Sequence, residues 1–282
     1  MTGKSSELVD MMARRKLDIL CVQETRWKGS KARELGAGYK LVYHGEVSGR
    51  NGVGVVVKEK HINGVLEVHR MSDRIMSVKL ETEGLVSNII SAYAPQVGCD
   101  REDKEEFWEK LDDLIQLIPR EERLIIRADF NGHIGEGNGG DERVMGKSGY
   151  GTRNVEGQDI VDFAHRMEMA VINTFYNKRE SHKITYTSGG RQTQIDCIMG
   201  RRTHLREARD CKFEPGESVA KQYHVVISRW EWRCGRGQQL RIEPKIRWWA
   251  LGEEKPSTKF RLRVRQKWIG AWMVPGKMLQ MY

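Results

Sequence analysis

Six side chains with acid, amide, phenol or imidazole groups lie at or just beyond short apolar runs: Glu24, Tyr93, Asp129, Asn131, Asp196 and His224. Runs such as 19–22 and 124–128 are typical of buried strands. Active sites of α/β proteins collect at strand ends, because a rigid sheet holds the loops there. Carboxylates that share such a place with an amide and a histidine favour a hydrolase site that binds a divalent metal.

Glu24, Asp129 and Asn131 each have two interpretations. An unpaired carboxylate after a buried strand is costly, so Glu24 is either a Mg²⁺ ligand or a helix-cap or ion-pair residue. Asp129 and Asn131 are separated by one residue and therefore point to the same side of an extended segment. They could orient a water and hold a phosphoryl oxygen, or they could form an Asx turn that ends the strand.

Asp196 stands between apolar neighbours and needs a partner, for which His224 is the natural choice. An Asp–His pair fixes the tautomer of the imidazole and supports its charged form. The alternative for His224 is an ordinary strand residue before the apolar run 225–227. Tyr93 could donate a hydrogen bond to a phosphate, or it could pack at a strand edge.

Segment 132–157 contains nine glycines with interspersed charged residues, which predicts a long surface loop. Loops of this length inside a compact domain are usually functional or disordered. Its residues Arg153 and Asn154 could contact a nucleic-acid backbone, or they could be solvated loop residues.

The apolar periodicity predicts three helices and a larger number of strands. The helices are expected around residues 8–15, 107–118 and 160–167. The strands are expected at 19–22, 52–57, 76–80, 88–92, 123–128, 170–174, 183–187, 194–199 and 224–230. Strands that alternate in part with helices favour an α/β fold with a pair of mixed sheets.

The composition of the 282 residues indicates a protein without a membrane span and with reduced cysteines. No apolar stretch approaches the roughly 20 residues that cross a bilayer, and the N-terminal residues do not resemble a signal peptide. The five cysteines are odd in number and form no Cys-x-x-Cys pair, which argues against disulfides and structural zinc. We therefore expect an intracellular protein, nuclear or cytoplasmic.

The net charge of +9 is concentrated at the C-terminus. Residues 229–282 carry 13 Lys and Arg against 4 Asp and Glu, and they include six of the eight tryptophans. We therefore predict a neutral globular domain over residues 1–232, followed by a basic, Trp-rich and poorly ordered tail over residues 233–282. Basic residues neutralise phosphates and aromatic rings stack on unpaired bases, although such a tail could equally be without a partner.

The order and spacing of these residues resemble the endonuclease/exonuclease/phosphatase superfamily. Within it they are most similar to endonuclease domains of non-long-terminal-repeat retrotransposons, whose cellular copies are labelled craniofacial development protein 2-like. The resemblance extends from the start of the sequence to about residue 230. It rests on DILCVQETRWKG at 18–29, RNGVG at 50–54, AYAPQVG at 92–98, ADFNGHIG at 128–135, TYTSGG at 185–190 and QID at 194–196.

The resemblance implies a four-layer sandwich of two mixed β-sheets flanked by helices, and Mg²⁺-dependent hydrolysis of phosphodiester bonds in DNA, with Mn²⁺ as an alternative metal. Glu24 would hold the metal and Asp129 would orient or deprotonate the attacking water. Asn131 and Tyr93 would hold the phosphate. His224, oriented by Asp196, would stabilise charge on the phosphoryl group.

Three departures from the family pattern leave the activity open. The family's first strand, which carries an Asn, has no counterpart in this sequence. Gln222, Tyr223 and His224 stand where the family has Ser-Asp-His, and Ala128 replaces the usual Gly. The sequence therefore fits an endonuclease of full or impaired activity, or a catalytically silent remnant that binds nucleic acid. A third interpretation retains the enzyme but makes the substrate a lipid or small-nucleotide phosphoester.

Overall fold

The computed structural model describes residues 5–188, 190–214 and 225–232. Its helices are α1 (Ser5–Arg14), α2 (Glu59–Ile62), α3 (Arg101–Gln116) and α4 (Val155–Arg166), with 3₁₀ turns at Ile172–Thr174, Glu180–His182 and Arg202–Glu207. Its strands are β1 (Ile19–Val22), β2 (Gly29–Gly36), β3 (Tyr39–Gly45), β4 (Val53–Lys58), β5 (Val65–Ser72), β6 (Ile75–Thr82), β7 (Leu85–Tyr93), β8 (Arg123–Asp129), β9 (Met169–Val171), β10 (Tyr186–Ser188), β11 (Arg191–Thr193), β12 (Asp196–Arg201), β13 (Ala208–Glu214) and β14 (Val225–Trp230).

Two larger sheets form the centre of the fold. The six-stranded sheet has the order β5-β6-β7-β8-β12-β9, with β7 and β8 parallel. The four-stranded sheet has the order β1-β4-β3-β2, and its described pairs are antiparallel. β13 and β14 form a separate antiparallel ribbon, and β10 and β11 form a hairpin.

Three apolar cores separate four layers. Helix α1 covers the outer face of the four-stranded sheet through Leu8, Val9, Met11 and Met12. A second core lies between the two sheets and includes Val55 and Ile89. Helices α3 and α4 cover the outer face of the six-stranded sheet. The predicted α/β class with two packed sheets and flanking helices is confirmed.

Most predicted elements are found within a few residues of their expected bounds, and three strands differ. The strand expected at 170–174 ends at Val171, because the Thr174 hydroxyl donates back to the Val171 carbonyl in a 3₁₀ turn. In the region expected as 183–187, β10 spans only Tyr186–Ser188. The strand expected at 194–199 begins at Asp196, because the backbone N–H of Ile195 donates to the Thr185 hydroxyl instead of to a neighbouring strand.

The glycine-rich segment contributes to the core and is fixed to helix α4. Val144 and Met145 are buried with the residues of α3 and α4. Asp141 accepts from Arg153 at 2.8 Å and contacts His165 of α4 at 3.0 Å. The helix begins after Asn154, so residues 155–157 of the expected loop are helical.

Three other expectations concern cysteines, membrane spans and the tail. Cys21, Cys99, Cys197 and Cys211 are free thiols. Among the residues described, no helix is both long and apolar enough to cross a membrane. The proposed tail at 233–282 lies outside the described residues.

Candidate active site

Three predicted site residues form one row across the six-stranded sheet. Tyr93 ends β7 and Asp129 ends the parallel strand β8, and the two residues are in register. Asp196 begins β12 and lies directly opposite Asp129. Residues in register on neighbouring strands point to the same face of a sheet. The row therefore presents a phenol and two carboxylates on the face that packs against the other sheet.

Glu24 approaches this row from the four-stranded sheet. Its Oε1 accepts a 2.6 Å hydrogen bond from the Tyr93 hydroxyl, and its Oε2 accepts one of 2.7 Å from Arg26. The end of β1 is fixed by Ser91 of β7, whose hydroxyl donates to the Val22 carbonyl at 3.2 Å. Glu24 and Asp129 thus come from different sheets and meet through Tyr93.

The backbone around Glu24 is strained and needs a close neighbour to hold it. Glu24 has φ +49, in the left-handed region that costs a non-glycine residue about 1 kcal/mol or more. Thr25 and Arg26 donate their backbone N–H groups to the carbonyls of Gly52 and Asn51. A Cβ on Gly52 would lie 2.3 Å from the Thr25 hydroxyl, so glycine is required there.

Asn131 lies beside Asp129 and is held by two hydrogen bonds. Its backbone N–H donates to Asp129 Oδ1 at 3.1 Å, and its side-chain amide donates to the Ala94 carbonyl at 2.9 Å. The residue adopts φ +52, which asparagine tolerates better than most residues. The predicted Asx-type contact is thus present, and a role of Asn131 in holding a phosphoryl oxygen remains a prediction.

Burial and charge act differently on the carboxylates. Asp129 is only 3% exposed, and burial together with the nearby Asp196 raises its pKa well above the ordinary range. Burial also raises the pKa of Glu24, but the hydrogen bonds from Tyr93 and Arg26 outweigh it and leave that pKa below its ordinary value. Glu24 is thus held as an anion, while Asp129 is poised to take up a proton.

A buried arginine that the sequence analysis did not single out neutralises Asp196. Arg127 donates to Asp196 Oδ1 at 2.8 Å from the adjacent strand; the Asp196 side chain is 3% exposed and the Arg127 side chain 16% exposed. Asp196 Oδ2 is buried and has no hydrogen-bond partner among the described residues. Arg127 interrupts the apolar run 124–128, and a charge within a buried strand is the signal that predicts such a partner.

Arg74 and Gln23 also support the site and gave no signal in the sequence. The Arg74 guanidinium lies 5.2 Å from the centre of the Tyr93 ring and donates to the carbonyls of Tyr93 and Ala94. The Gln23 amide donates to the Ser91 hydroxyl at 3.1 Å. Arg74 thus positions Tyr93, and Gln23 positions the end of β1.

Arg153 and Asn154, predicted as nucleic-acid contacts, both have intramolecular partners. Arg153 binds Asp141 and the Ile134 carbonyl. The Asn154 side chain accepts from the N–H groups of Gly157 and His133, so it caps α4 and anchors the chain beyond Asn131. A role in contacting nucleic acid remains a prediction for both.

Of the family departures, Ala128 lies in β8 directly before Asp129. Ala128 is a buried residue of β8 with ordinary strand backbone, so its Cβ needs no left-handed conformation. His224 and Tyr223 lie outside the described residues.

The carboxylates near Glu24 are hard oxygen donors of the kind that a divalent cation prefers. Glu24 and Asp129 lie close enough that the charge of Glu24 is among the causes that raise the Asp129 pKa. A divalent cation would relieve that repulsion, and Mg²⁺ commonly binds through one or two carboxylates while it keeps several waters. In the described part of the chain, no three His, Cys, Asp or Glu side chains form a ready cluster, so Glu24 would be the principal protein ligand.

Comparison with known proteins places this geometry in a family. The model of the Endonuclease/Exonuclease/phosphatase family matches residues 1–158. The chain belongs to this family. The match includes Glu24, Tyr93, Asp129 and Asn131, and members of the family hydrolyse phosphoester bonds.

Similar proteins extend the comparison beyond residue 158. Craniofacial development protein 2 of Bos taurus is 26% identical over 247 residues, which is 86% of this chain and 40% of that protein. The chain thus spans less than half of the relative's length. The endonuclease domain of TRAS1, a telomere-specific non-LTR retrotransposon, has a TM-score of 0.57 at 13% identity, covering 83% of this chain and 95% of that domain. The 3′ phosphatase NExo from Neisseria, bound to a product DNA hairpin, has a TM-score of 0.62 at 14% identity, covering 82% and 95%. These two structures confirm the fold.

Proposed function

We propose that this domain is a Mg²⁺-dependent endonuclease that nicks DNA, with Mn²⁺ as an alternative metal. The observation that carries the proposal is the convergence of Glu24 with the row Tyr93, Asp129 and Asp196. A retrotransposon origin is supported by the resemblance to the TRAS1 domain and to craniofacial development protein 2.

Glu24 would hold the metal through its carboxylate, and Tyr93 would keep that carboxylate oriented. When bound, the metal supplies Lewis-acid stabilisation of charge on the phosphoryl oxygens. Arg26 binds Glu24 Oε2 in this structure, so its guanidinium would move aside or share the carboxylate. The Tyr93 hydroxyl proton is committed to Glu24, and a direct contact with phosphate would require that bond to open.

Asp129 would orient the attacking water and accept its proton. Its raised pKa makes its carboxylate a stronger proton acceptor than that of an ordinary aspartate. As the water oxygen bonds to phosphorus, the bond to the leaving oxygen breaks. Asn131 would donate its free amide N–H to a phosphoryl oxygen, because the other amide N–H is held by Ala94.

His224 would stabilise the phosphoryl charge as an imidazolium oriented by Asp196. The buried Asp196 Oδ2 supports this pairing, since it has no hydrogen-bond partner in the described part of the chain. Arg127 would hold the other carboxylate oxygen and so fix the direction in which Oδ2 points.

The test is nicking of supercoiled plasmid by the full chain with Mg²⁺. Glu24→Gln, Asp129→Asn and His224→Ala should each lower the nicking rate by roughly 10²-fold or more. The matched control is Glu122→Gln, which neutralises a buried carboxylate beside the opposite end of β8, where it binds Lys79 and Asn88. Nicking that survives all three site substitutions would refute the site assignment.

A second candidate function is a silent nucleic-acid-binding domain. The ion pair between Arg26 and Glu24 favours it, because a guanidinium already occupies the oxygen that a metal would need. A folded chain that binds DNA but does not nick it with Mg²⁺ or Mn²⁺ would establish this function.

A further inference from the structure

A basic and aromatic cavity lies beside the candidate active site. It has a volume of about 500 Å³ and lies between the segment that follows Glu24 and strands β2 and β3. Arg26, Trp27, Lys28, Arg33 and Tyr43 are among its lining residues. A volume of this size is in the range that holds a small organic ligand.

The charge of the cavity is positive and largely uncompensated. Of the lining cations, Arg26 is paired with Glu24. Lys28 and Arg33 are exposed, and neither forms an ion pair within the described residues. None of the lining residues carries a carboxylate. These charges favour an anionic ligand, because cations that lack protein partners can neutralise phosphate and release its counterions.

The cavity also presents an aromatic surface. The Arg33 guanidinium lies 5.5 Å from the centre of the Trp27 ring, and Tyr43 packs edge-on against that ring at 5.2 Å. Tyr43 is buried and Trp27 is partly exposed, so part of the indole is accessible to solvent while Tyr43 and Arg33 hold the ring in place. A fixed indole beside a guanidinium is a surface on which a nucleobase stacks.

We propose that this cavity binds one unpaired nucleotide of the DNA strand on which the candidate active site acts. The base would stack on Trp27 while the flanking phosphates face Lys28 and Arg33. The base must be unpaired, because a base inside a duplex cannot enter a concave pocket without leaving the stack. This inference rests on the proposed function and adds the substrate feature that the site recognises.

The position of Arg26 connects the cavity to the chemistry. Arg26 is one of the lining residues, and its guanidinium contacts Glu24 Oε2 at 2.7 Å. A nucleotide in the cavity would therefore lie next to the place where the scissile phosphate meets the carboxylates. The cavity would select DNA that is frayed, gapped or single-stranded at the nick site.

The experiment measures binding of a fluorescein-labelled 12-residue oligodeoxythymidine to the full chain by anisotropy, with EDTA present to prevent cleavage. Trp27→Ala should weaken binding about tenfold, and Trp27→Phe should weaken it less than about threefold, because an aromatic face remains. The double variant Lys28→Gln/Arg33→Gln should reduce the slope of log K against log salt by about 1.4. The matched control Arg101→Gln/Arg120→Gln removes two exposed cations outside the cavity and should leave that slope nearly unchanged.

Three outcomes would overturn the proposal. The first is that Trp27→Ala binds the oligonucleotide as tightly as wild type. The others are that the control double variant reduces the salt slope as much as Lys28→Gln/Arg33→Gln does, or that Trp27→Ala weakens binding to a blunt duplex of the same length as much as binding to the single strand. The cation variants keep the test decisive if Trp27→Ala unfolds, since Lys28 and Arg33 are surface residues. Plasmid nicking measured in parallel separates the two proposals. If binding of the oligonucleotide depends on Trp27 but the wild-type chain does not nick plasmid, only the proposed hydrolysis is refuted. If the wild-type chain nicks plasmid but the cavity variants bind the oligonucleotide as wild type does, only the proposed role of the cavity is refuted.

Discussion

Asp129 and Asp196 lie directly opposite each other on adjacent antiparallel strands, and both carboxylates are buried. Among the described residues, Asp196 accepts a hydrogen bond from the cation Arg127, whereas Asp129 accepts one from the backbone N–H of Asn131. The pair is therefore asymmetric. The charge of Asp196 is balanced by Arg127, whereas burial and the charge of Asp196 disfavour the ionised form of Asp129.

Asp129→Asn should stabilise the protein at neutral pH while it abolishes nicking. The folded-state pKa of Asp129 is raised, chiefly by burial, so ionisation of this carboxyl costs more free energy in the native protein than in the unfolded chain. The stability that protonation confers is lost as the pH rises through the folded-state pKa. The amide avoids that loss and keeps the acceptor for the Asn131 N–H, with a gain of about 1 kcal/mol or more.

Urea unfolding at several pH values measures this gain. The difference between Asp129→Asn and wild type should be largest at neutral pH and shrink as the pH is lowered, because the wild-type carboxyl then becomes protonated. A variant that is less stable than wild type at neutral pH would show that Asp129 is compensated by a charge outside the described residues.

Arg127→Met should destabilise the fold by about 3–5 kcal/mol, because it leaves the Asp196 carboxylate buried without its cation. The double variant Arg127→Met/Asp196→Asn should lose less than the two single variants together, because it removes both charges. The measurement is a double-mutant cycle on the free energy of unfolding. Additive losses would mean that the two side chains do not stabilise each other.

Gly52→Ala should disturb the site through the backbone. Its Cβ would meet the Thr25 hydroxyl at 2.3 Å and displace the strained segment that carries Glu24. A displacement near 1 Å can cost about 10²-fold in rate. We expect a comparable loss of Mg²⁺-dependent nicking.

Gly84→Ala is the matched control for this substitution. Gly84 has φ +80, close to the φ +89 of Gly52, but no atom lies within 4 Å of its added Cβ. Both variants should melt at lower temperature, because alanine resists a left-handed backbone. Equal nicking by the two variants would show that the contact between Gly52 and Thr25 does not position Glu24.

Cys21 and Cys197 should resist iodoacetamide in the native protein at pH 8, whereas Cys99 should react. Burial raises the pKa of Cys21 and of Cys197 to about 12, so almost no thiolate is present at pH 8. Cys99 is partly exposed. Mass spectrometry of labelled peptides, with and without guanidinium, reads each cysteine separately. Native labelling of Cys21 would indicate that β1 opens readily.

The sequence predicted strands best where both faces of the strand are buried. Strands β1 and β4 are almost entirely apolar, β8 is an apolar run interrupted by Arg127, and the positions of all three are confirmed. Strand β2 was missed because its residues are mostly exposed and polar, as is common at a sheet edge, while β3 supplies the apolar residues of the pair. The apolar pattern of a short segment does not predict an edge strand whose stability comes from pairing with the next strand.

The same limit applies to the candidate site. Glu24, Tyr93, Asp129, Asn131 and Asp196 were predicted because each is a polar residue at the end of an apolar run, and the structure brings them together. Arg74 was not predicted, because its contact with Tyr93 arises only when β6 and β7 pair. Arg26 and Glu24 are two residues apart, and only the left-handed backbone at Glu24 and Arg26 turns their side chains together.

The strand order of the six-stranded sheet has a consequence for synthesis of the chain. Strands β5 to β8 can pair in the order in which they leave the ribosome, but β12 inserts between β8 and β9 and is made after both. Until β12 is available, β9 lacks its neighbour in the sheet, apart from a bridge to Met145. A nascent chain that ends before residue 196 therefore contains Glu24, Tyr93 and Asp129 but not the strand that closes the site. Asp129 therefore meets its opposite residue, Asp196, only late in translation, after most of the domain has been made.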